Sequence, residues 1–412
     1  MHHNIEPLSL KVNTLWNSVG CLLYLGCQWL ITVLVVVLSA GYQFAGELAI
    51  AMAVGNIFAP IALFRVRTYQ VSDITNKFSS QNYIALRAIT IVGAFLLVTI
   101  YCLVSRIGVS LLPLVMVYLV FKADETFSDV LYGIDQRRQR MDYIGVSQGI
   151  RGVLSIMFFS LSLVAFNSLL VAVICMAAAC MAVTWLYDIP HARRFGRIRP
   201  ALSVTSAFQL LKTCFPAALS FLCCNAVISI SRQYFGFEYG EYDLGIYAAV
   251  ATPAIIIQVS ASYLYFPAIS RIAELFIERN KQELVKIIVK LSVAIFIVML
   301  VLCLIILLCG DYALILLYGI SIAPYTNLLL PICIVISLLA YFCFLSEVLI
   351  IFRSFFYLLF SSVLALLACF LLVIPLISNF GMNGLNVVLI VSYSVGLIVA
   401  SFFVVKKIKA IK

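Results

Sequence analysis

Charged residues are scarce in this chain of 412 residues. Asp, Glu, Lys and Arg make up 11% of it, whereas hydrophobic residues make up 64% and the mean hydropathy is +1.14. Soluble domains contain about 25% charged and about 45–50% apolar residues. The composition therefore excludes a water-soluble fold and predicts a membrane protein.

Side chains that commonly carry out catalysis or bind metals are also few. The chain has three histidines, and they form no catalytic constellation. Its 13 cysteines lie within or at the ends of apolar segments and form no Cys-x-x-Cys pair, so we expect buried thiols rather than metal sites or disulfides. The predicted outer loops are too short to hold the catalytic groups of a polytopic glycosyltransferase or polymerase. The sequence favours a protein that is not an enzyme, with no cofactor and no metal.

Uncharged runs divide the chain into twelve predicted membrane spans. Each crossing needs about 20 residues, and turn residues split the longer runs at 166–168 and 378–384. The stretch Asp311 to Pro324 is interrupted by Gly319, and we interpret it as an interfacial or re-entrant segment outside the membrane. This pattern predicts an all-α polytopic membrane protein. The predicted spans are 15–38, 46–65, 87–106, 109–130, 146–165, 169–187, 209–231, 244–267, 289–309, 323–346, 354–376 and 384–404.

The basic residues fall almost entirely on one side of these spans. The side of both termini receives 25 of the 27 Lys and Arg residues and 12 of the 17 Asp and Glu residues. Cytoplasmic loops are enriched in Lys and Arg, so we predict that both termini are cytoplasmic. A basic linker, 188–208, separates two halves of six spans, 1–187 and 209–412, which are weakly similar at an offset of 199 residues. Such halves would be parallel repeats, an arrangement suited to alternating access.

Several segments resemble a known family. The first half contains FRVRTYQVSD and ADETFSDVLYGIDQRRQRMDYIGVSQGIRG, and the second contains KTCFPAALSF, SISRQYFG, DLGIYAAVATP and YFPAISRI. With these segments the chain resembles bacterial polysaccharide exporters, the O-antigen-type flippases of lipid-linked oligosaccharides. They belong to the multidrug/oligosaccharidyl-lipid/polysaccharide (MOP) exporter superfamily, as do the multidrug and toxin extrusion (MATE) transporters. The resemblance covers essentially the whole chain.

The resemblance implies a function and a set of partners. It implies a V-shaped pair of six-helix bundles in the bacterial cytoplasmic membrane that flips undecaprenyl-diphosphate-linked oligosaccharides for surface polysaccharide synthesis. The implied partners are this lipid-linked substrate, the bilayer, and the polymerase and other proteins of polysaccharide assembly, with no nucleic acid. A MATE-type drug or cation antiporter and a polytopic enzyme acting on lipid-linked sugars are the alternatives. The cationic bias of the cytoplasmic side favours an anionic substrate.

Four arginines are candidates for binding the diphosphate, because charges at membrane depth mark functional sites. Arg65 and Arg67 end span 2, and spans 1, 2, 7 and 8 build most of the cavity in the family. Arg151 must enter the first turns of span 5, since 152–187 is too short for two spans and a turn. A guanidinium there can bind phosphate bidentately, or extend to the headgroups. Arg232 ends span 7, where it binds substrate or pairs with neighbouring acids.

Span 4 contains the densest group of charges. Lys122, Glu125 and Asp129 follow the spacing i, i+3, i+7 and share one helical face, whereas Asp124 points elsewhere. One interpretation is a self-neutralising pair of Lys122 and Glu125 at the cytoplasmic end. The other is a patch in which Asp124, Glu125 or Asp129 binds a coupling proton or Na⁺, with Lys122 as a partner.

Prolines interrupt three predicted spans. Pro60, Pro216 and Pro253 remove backbone hydrogen bonds within spans 2, 7 and 8, respectively. Helices bend at such positions, so these prolines are candidate hinges. Proline is also simply common in transmembrane helices, which is the alternative explanation.

Overall fold

The protein is helical in the computed structural model, which describes residues 7–39, 41–72, 78–105, 108–196, 198–201, 203–265 and 268–411. These residues contain no strand. Lipid offers no hydrogen-bond partners, so a spanning segment must satisfy its own backbone, as a helix does. The prediction of an all-α polytopic membrane protein is confirmed.

The chain forms two compact units, Met1–Ala218 and Leu219–Lys412. A π-helical turn, Thr184–Asp188, joins α7 to α8 in the first unit, and α9 crosses the boundary between the units. The helices up to that point are α1 (Leu10–Val37), α2 (Gln43–Leu63), α3 (Val66–Ser72), α4 (Ser80–Val104), α5 (Leu112–Arg137), α6 (Met141–Phe166), α7 (Leu169–Val183), α8 (Ile189–Phe195) and α9 (Val204–Tyr239).

The second unit repeats part of this order. In the first unit the long helix α2 is followed by the short α3 and the long α4, and the second unit has the same succession in α10–α11, α12 and α13. The predicted repeat of the two halves stays a prediction. The remaining helices are α10 (Glu241–Ala251), α11 (Ile255–Tyr265), α12 (Ile269–Ile277), α13 (Lys281–Tyr318), α14 (Leu329–Ile351) and α15 (Phe355–Lys409).

The helices account for twelve membrane crossings. In the described part of the chain, 10 helices are long and apolar enough to span a membrane. The 26-residue α5 is not among them because charged residues interrupt its apolar sequence. The 55-residue α15 contains non-helical Gly381, with φ 54° and ψ −128°, and so divides into two helices of spanning length. With α5 and both parts of α15, the helices match the predicted spans.

Short polar signals set several helix ends. At the start of α4, the Ser79 hydroxyl accepts a hydrogen bond from the Asn82 backbone, and the Asn82 side chain accepts one from the Ser79 backbone. This capping box starts the helix seven residues before the predicted span. Asn167 adopts a left-handed conformation between α6 and α7, with φ 45°, which confirms the predicted turn at 166–168.

The predicted interfacial segment, Asp311 to Pro324, begins as part of a long helix. Helix α13 continues without a break to Tyr318 and ends at the predicted break, Gly319, where φ is 80°. A 3-10 helix, Ile320–Leu328, follows. At 1.5 Å per residue the 38-residue α13 is about 57 Å long, which exceeds a hydrocarbon core of about 30 Å. The position of this segment outside the membrane stays a prediction.

The boundary between the units lies inside α9, whereas the sequence placed it in the linker 188–208. The start of that linker is helical, and Ile189 and Ala192 pack with Val66 and Leu210 in one buried apolar cluster of the first unit. Burial of these apolar residues attaches the linker to the first unit.

The three candidate hinge prolines occupy different settings. Pro253 lies in a 3-10 turn that separates α10 from α11. Pro60 remains inside α2, and Pro216 remains inside α9. A break in regular α-helix therefore coincides with Pro253, and the hinge role of all three stays a prediction.

Helices α1 and α6 pack with their backbones in contact. A Cβ atom added to Gly145 would lie 2.3 Å from the Trp16 carbonyl oxygen, and one added to Gly20 would lie 2.4 Å from the Gly145 Cα. Membrane helices associate mainly through such close packing of small residues. These glycines fix the position of α6, which carries Arg151.

Candidate functional site

Ionisable side chains within the predicted spans of the first unit gather around α5 in three groups. Asp124 projects towards α6 and α7, whereas Asp129 projects towards α3 and α4. Lys122 and Glu125 pair with each other. Asp129 shares a face with this pair, as predicted, but at 1.5 Å per residue it lies about 10 Å along the helix from Lys122 and about 6 Å from Glu125. It consequently contacts other helices.

The first group is centred on Arg151 of α6. Its Nη2 donates to Asp124 Oδ2 at 2.7 Å, to Ser128 Oγ at 2.5 Å and to the Thr184 hydroxyl. The Thr184 hydroxyl donates to the second oxygen of Asp124 at 2.7 Å. On its other side, Arg151 Nε lies 3.6 Å from Asp188 Oδ2. One guanidinium thus stands between two carboxylates that belong to α5 and to the π-helical turn.

The Arg151 group is shielded from solvent. The exposed fractions of the Arg151, Asp124 and Asp188 side chains are 3%, 7% and 3%. Breaking such a buried pair by removing one partner typically costs about 3–5 kcal/mol, because an uncompensated charge remains. The structure therefore gives Arg151 a set of internal partners and leaves little of it accessible to a substrate.

The second group is centred on Asp129. Arg87 Nη2 donates to Asp129 Oδ2 at 2.8 Å, and Arg67 Nη1 donates to Oδ1 at 3.1 Å. Arg67 also donates from Nε and Nη2 to Gln136 Oε1, at 3.1 and 2.8 Å, and its guanidinium carbon lies 5.9 Å from the centre of the Tyr132 ring. Asp129 therefore links α3, α4 and α5.

Arg87 ties this group to the end of α2. Its Nη1 donates to the Ala62 carbonyl at 2.7 Å, and the Thr90 hydroxyl donates to the same oxygen at 2.7 Å. That carbonyl has lost its helical partner because Phe64 and Arg65 both adopt left-handed conformations, with φ 44° and 54°. A left-handed residue other than glycine costs about 1–3 kcal/mol, so Arg87 and Thr90 stabilise a strained joint between α2 and α3.

The third group is the pair formed by Lys122 and Glu125. Lys122 Nζ lies 2.6 Å from Glu125 Oε2, and the exposed fractions of the side chains are 20% and 33%. The ammonium also lies 5.2 Å from the Phe121 ring centre and 5.8 Å from that of Tyr118. The self-neutralising pair that the sequence predicted as one alternative is present.

Arg232 of α9 belongs to the second unit and has a different environment. In the described part of the chain no ion pair includes Arg232, and its buried Nε has no hydrogen-bond partner. The Tyr247 hydroxyl donates to Asn386 Oδ1 at 2.7 Å. The acids at the start of α10, the predicted alternative partners, do not pair with Arg232 in this structure.

Arg140 anchors the short loop between α5 and α6. Its Nε and Nη2 donate to the two oxygens of Asp142, at 2.9 and 2.7 Å. These hydrogen bonds to a carboxylate raise the pKa of the Arg140 guanidinium. The adjacent Met141 backbone donates to Asn13 Oδ1 at 2.8 Å, which fastens the loop to α1.

The sequence prediction missed two members of these groups. Arg87 was placed at the edge of span 3, but α4 starts earlier and buries it completely, with 0% exposure of its side chain. The capping sequence at Ser79 was the available signal. Asp188 was assigned to the linker, and the apolar sequence before it gave no sign of a π-helical turn that directs it towards Arg151. In the described residues no group of three or more His, Cys, Asp or Glu is arranged to hold a metal.

Comparison with solved structures identifies the fold. An inward-facing multidrug resistance MATE family transporter of the MOP superfamily aligns with a TM-score of 0.73 and 14% identity, over 93% of this chain and 95% of that one. An outward-facing one aligns at 0.65 and 14%, over 97% and 96%. The eukaryotic MATE transporter AtDTX14 aligns at 0.69 and 13%, over 96% and 97%. The chain therefore has the fold of MATE transporters and is a multi-pass membrane protein.

Sequence comparison adds a relative with a different description. No family model matches the chain. The capsular polysaccharide biosynthesis protein CapF of Staphylococcus aureus is 24% identical over 235 residues, which cover 56% of this chain and 58% of CapF. The match thus spans less than two thirds of that relative.

Proposed function

We propose that the protein is a flippase that moves undecaprenyl-diphosphate-linked oligosaccharide repeat units across the bacterial cytoplasmic membrane for surface polysaccharide synthesis. The observation that carries this proposal is the similarity to a capsular polysaccharide biosynthesis protein in a chain with a transporter fold. Neither observation alone distinguishes the cargo. Together they favour a lipid-linked sugar.

The pairing of charges supports an anionic cargo. Asp124, Glu125 and Asp129 each already contact a cationic side chain, whereas Arg232 has no ion-pair partner among the described residues. Arg232 is half-buried, and a charge that loses contact with solvent without gaining an ionic partner is costly. An anionic group of the substrate would compensate Arg232. A lipid-linked diphosphate supplies such a group.

A drug or cation antiporter is the second candidate, because the solved structures with this fold include multidrug transporters. A cationic drug needs a carboxylate that is free to bind it. The three carboxylates that the sequence indicated for ion binding are engaged with Arg151, Lys122, Arg67 and Arg87. This arrangement ranks the antiporter below the flippase.

Translocation requires different surroundings for the two parts of the substrate. Polar groups that enter hydrocarbon without partners cost several kcal/mol each. Cationic side chains along the path lower this cost for the diphosphate, while the polyprenyl chain stays in lipid. Coupling to a proton or Na⁺ gradient is an optional part of this proposal. Its candidate ion-binding groups are Asp124, Glu125 and Asp129, with Lys122 as a partner, and each carboxylate would have to leave its cationic partner to bind the ion. The polymerase and other assembly proteins then receive the exported unit.

Depletion of the protein in its host tests the function. Lipid-linked oligosaccharide should accumulate on the cytoplasmic leaflet, and complementation with the wild-type chain should restore export. Arg65→Ala, Arg67→Ala and Arg232→Ala should restore less export than wild type at equal membrane levels, with the exposed Arg271→Ala as a control. Normal delivery to the outer leaflet after depletion would exclude the flippase. Outer-leaflet units that stay unpolymerised would indicate an enzyme instead.

A further inference from the structure

Arg67 and Asp129 form an ion pair whose charges do not balance within their group. Two guanidiniums, of Arg67 and Arg87, contact one carboxylate. We infer that Asp129 acts as an internal anion that holds Arg67 until a phosphate group of the substrate displaces it. This inference rests on the proposed function, and it gives Asp129 a role other than ion coupling.

Arg67 is the accessible one of the two arginines in this group. The exposed fraction of the Arg67 side chain is 24% and that of Asp129 is 22%, whereas Arg87 is fully buried. The remaining contacts of Arg67, with the Gln136 amide and the Tyr132 ring, are neutral. An incoming anion therefore meets Arg67 first, and no second carboxylate contacts Arg67 as an ion pair in the described residues.

The two arginines use different oxygens of Asp129. Arg87 holds Oδ2 and Arg67 holds Oδ1. When Arg67 changes partner, Asp129 keeps its shorter bond to Arg87 and is not left as an isolated charge. This is what makes the exchange feasible, because stranding a charge in a buried site is the main cost of breaking an ion pair. Arg87 also stays bound to the Ala62 carbonyl.

Arg67 has the chemistry for a phosphate ligand. A guanidinium presents parallel N–H groups that match two phosphate oxygens, and these charge-assisted bonds are stronger than bonds to a neutral amide. Arg151 offers no such site, because its side chain is 3% exposed and its bonds are internal.

Titration with inorganic pyrophosphate tests the exchange without any transport. Calorimetry on the full-length protein in phosphatidylcholine nanodiscs should show binding to wild type. Arg67→Gln should weaken binding at least about tenfold, since the charged donor is removed. Asp129→Asn should tighten binding about fivefold, the value of a partly exposed ion pair that no longer competes. Gln136→Glu should weaken it about fivefold, because it adds a second internal anion.

Matched controls separate this exchange from a general charge effect. Arg140→Gln and Asp142→Asn change the same charges in another partly exposed pair and should alter pyrophosphate affinity less than twofold. If Asp129→Asn does not fold because Arg87 loses its anion, Gln136→Glu still tests the idea, since it removes no partner. Two results would overturn the inference. One is an equal change of pyrophosphate affinity in Asp129→Asn and Asp142→Asn. The other is a pyrophosphate affinity that is unchanged in Arg67→Gln or in Gln136→Glu.

Phosphate on Arg67 has two sources, the substrate diphosphate and a lipid headgroup. Nanodiscs that contain phosphatidylglycerol distinguish them. Pyrophosphate should bind the wild-type protein with the same affinity in both membranes, once the effect of membrane surface charge is corrected. Binding to the Arg140→Gln protein in the two membranes measures that effect. If pyrophosphate binding is lost only in the nanodiscs that contain phosphatidylglycerol, Arg67 binds lipid headgroups. That result would overturn the inference. Failure of oligosaccharide flipping with the expected pyrophosphate pattern intact would instead refute the proposed function.

Discussion

Asp124→Asn should destabilise the first unit far more than Glu125→Gln, although the two positions are adjacent on α5. Asp124 is 7% exposed and binds Arg151, whose other carboxylate neighbour is 3.6 Å away. Loss of one partner of a buried pair costs about 3–5 kcal/mol. Because Asp188 can approach Arg151 Nε and compensate part of the charge, we expect the free energy of unfolding to fall by about 3 kcal/mol.

Glu125→Gln removes the same charge from a more exposed pair. The Glu125 side chain is 33% exposed, and its bond to Lys122 spans a single turn of α5. Partly exposed ion pairs contribute at most about 1 kcal/mol. The two variants should therefore differ by about 2 kcal/mol, although both replace one carboxylate with an amide of the same shape.

Reversible unfolding in detergent mixed with sodium dodecyl sulfate measures this difference. The three tryptophans of the chain, Trp16, Trp29 and Trp185, all lie in the first unit, so their fluorescence reports its unfolding. A triple variant, Asp124→Leu with Arg151→Met and Asp188→Asn, removes all three buried charges and should recover part of the loss. Equal destabilisation by Asp124→Asn and Glu125→Gln, or no recovery in the triple variant, would refute the reasoning.

Two further predictions concern packing and the α2 joint. Gly145→Ala should lower the free energy of unfolding by about 2–3 kcal/mol, because its Cβ would lie 2.3 Å from the Trp16 carbonyl oxygen. Gly149→Ala is the control, since its Cβ would contact only a side chain, at 3.4 Å. It should lower the free energy of unfolding by less than about 1 kcal/mol in the same assay. Equal costs would contradict the close packing of α1 and α6. Arg87→Leu should destabilise by about 2–4 kcal/mol, since it removes a buried ion pair and the bond to an α2 carbonyl. Arg271→Leu, at an exposed pair, should leave the unfolding transition unchanged, and a comparable loss in both variants would contradict the role of Arg87.

The helical architecture was predictable because membrane spans depend on local sequence. Length and hydropathy locate a span without knowledge of its neighbours. Turn residues such as Asn167 and Gly381 mark the splits because each adopts a positive φ that ends regular helix. The same reasoning located the break at Gly319, and α13 continues through Asp311 because the sequence from Asp311 to Tyr318 contains no helix-ending residue.

The partners of the charged residues were less predictable. Helical spacing correctly placed Asp124 on a different face from Lys122 and Glu125, and the contacts agree. Spacing alone says nothing about which helix faces Asp129, so its bonds to Arg67 and Arg87 came only from the tertiary structure.

Burial also depends on tertiary structure. Arg151 lies in α6, ten residues after its start at Met141, and its burial among internal partners follows from the π-helical turn that presents Asp188 and Thr184. π-Helical turns arise where a residue is inserted into an α-helix and frequently accompany functional sites. No residue pattern in α7 indicates the insertion.

Reconstitution into liposomes with a fluorescent undecaprenyl-diphosphate oligosaccharide measures the central claim directly. A membrane-impermeant reagent that modifies the sugar counts the molecules on the outer leaflet over time. The account predicts that wild-type protein equilibrates the lipid between leaflets and that Arg232→Ala protein does so more slowly at equal incorporation. Translocation no faster than in protein-free liposomes, under both a proton and a Na⁺ gradient, would contradict it.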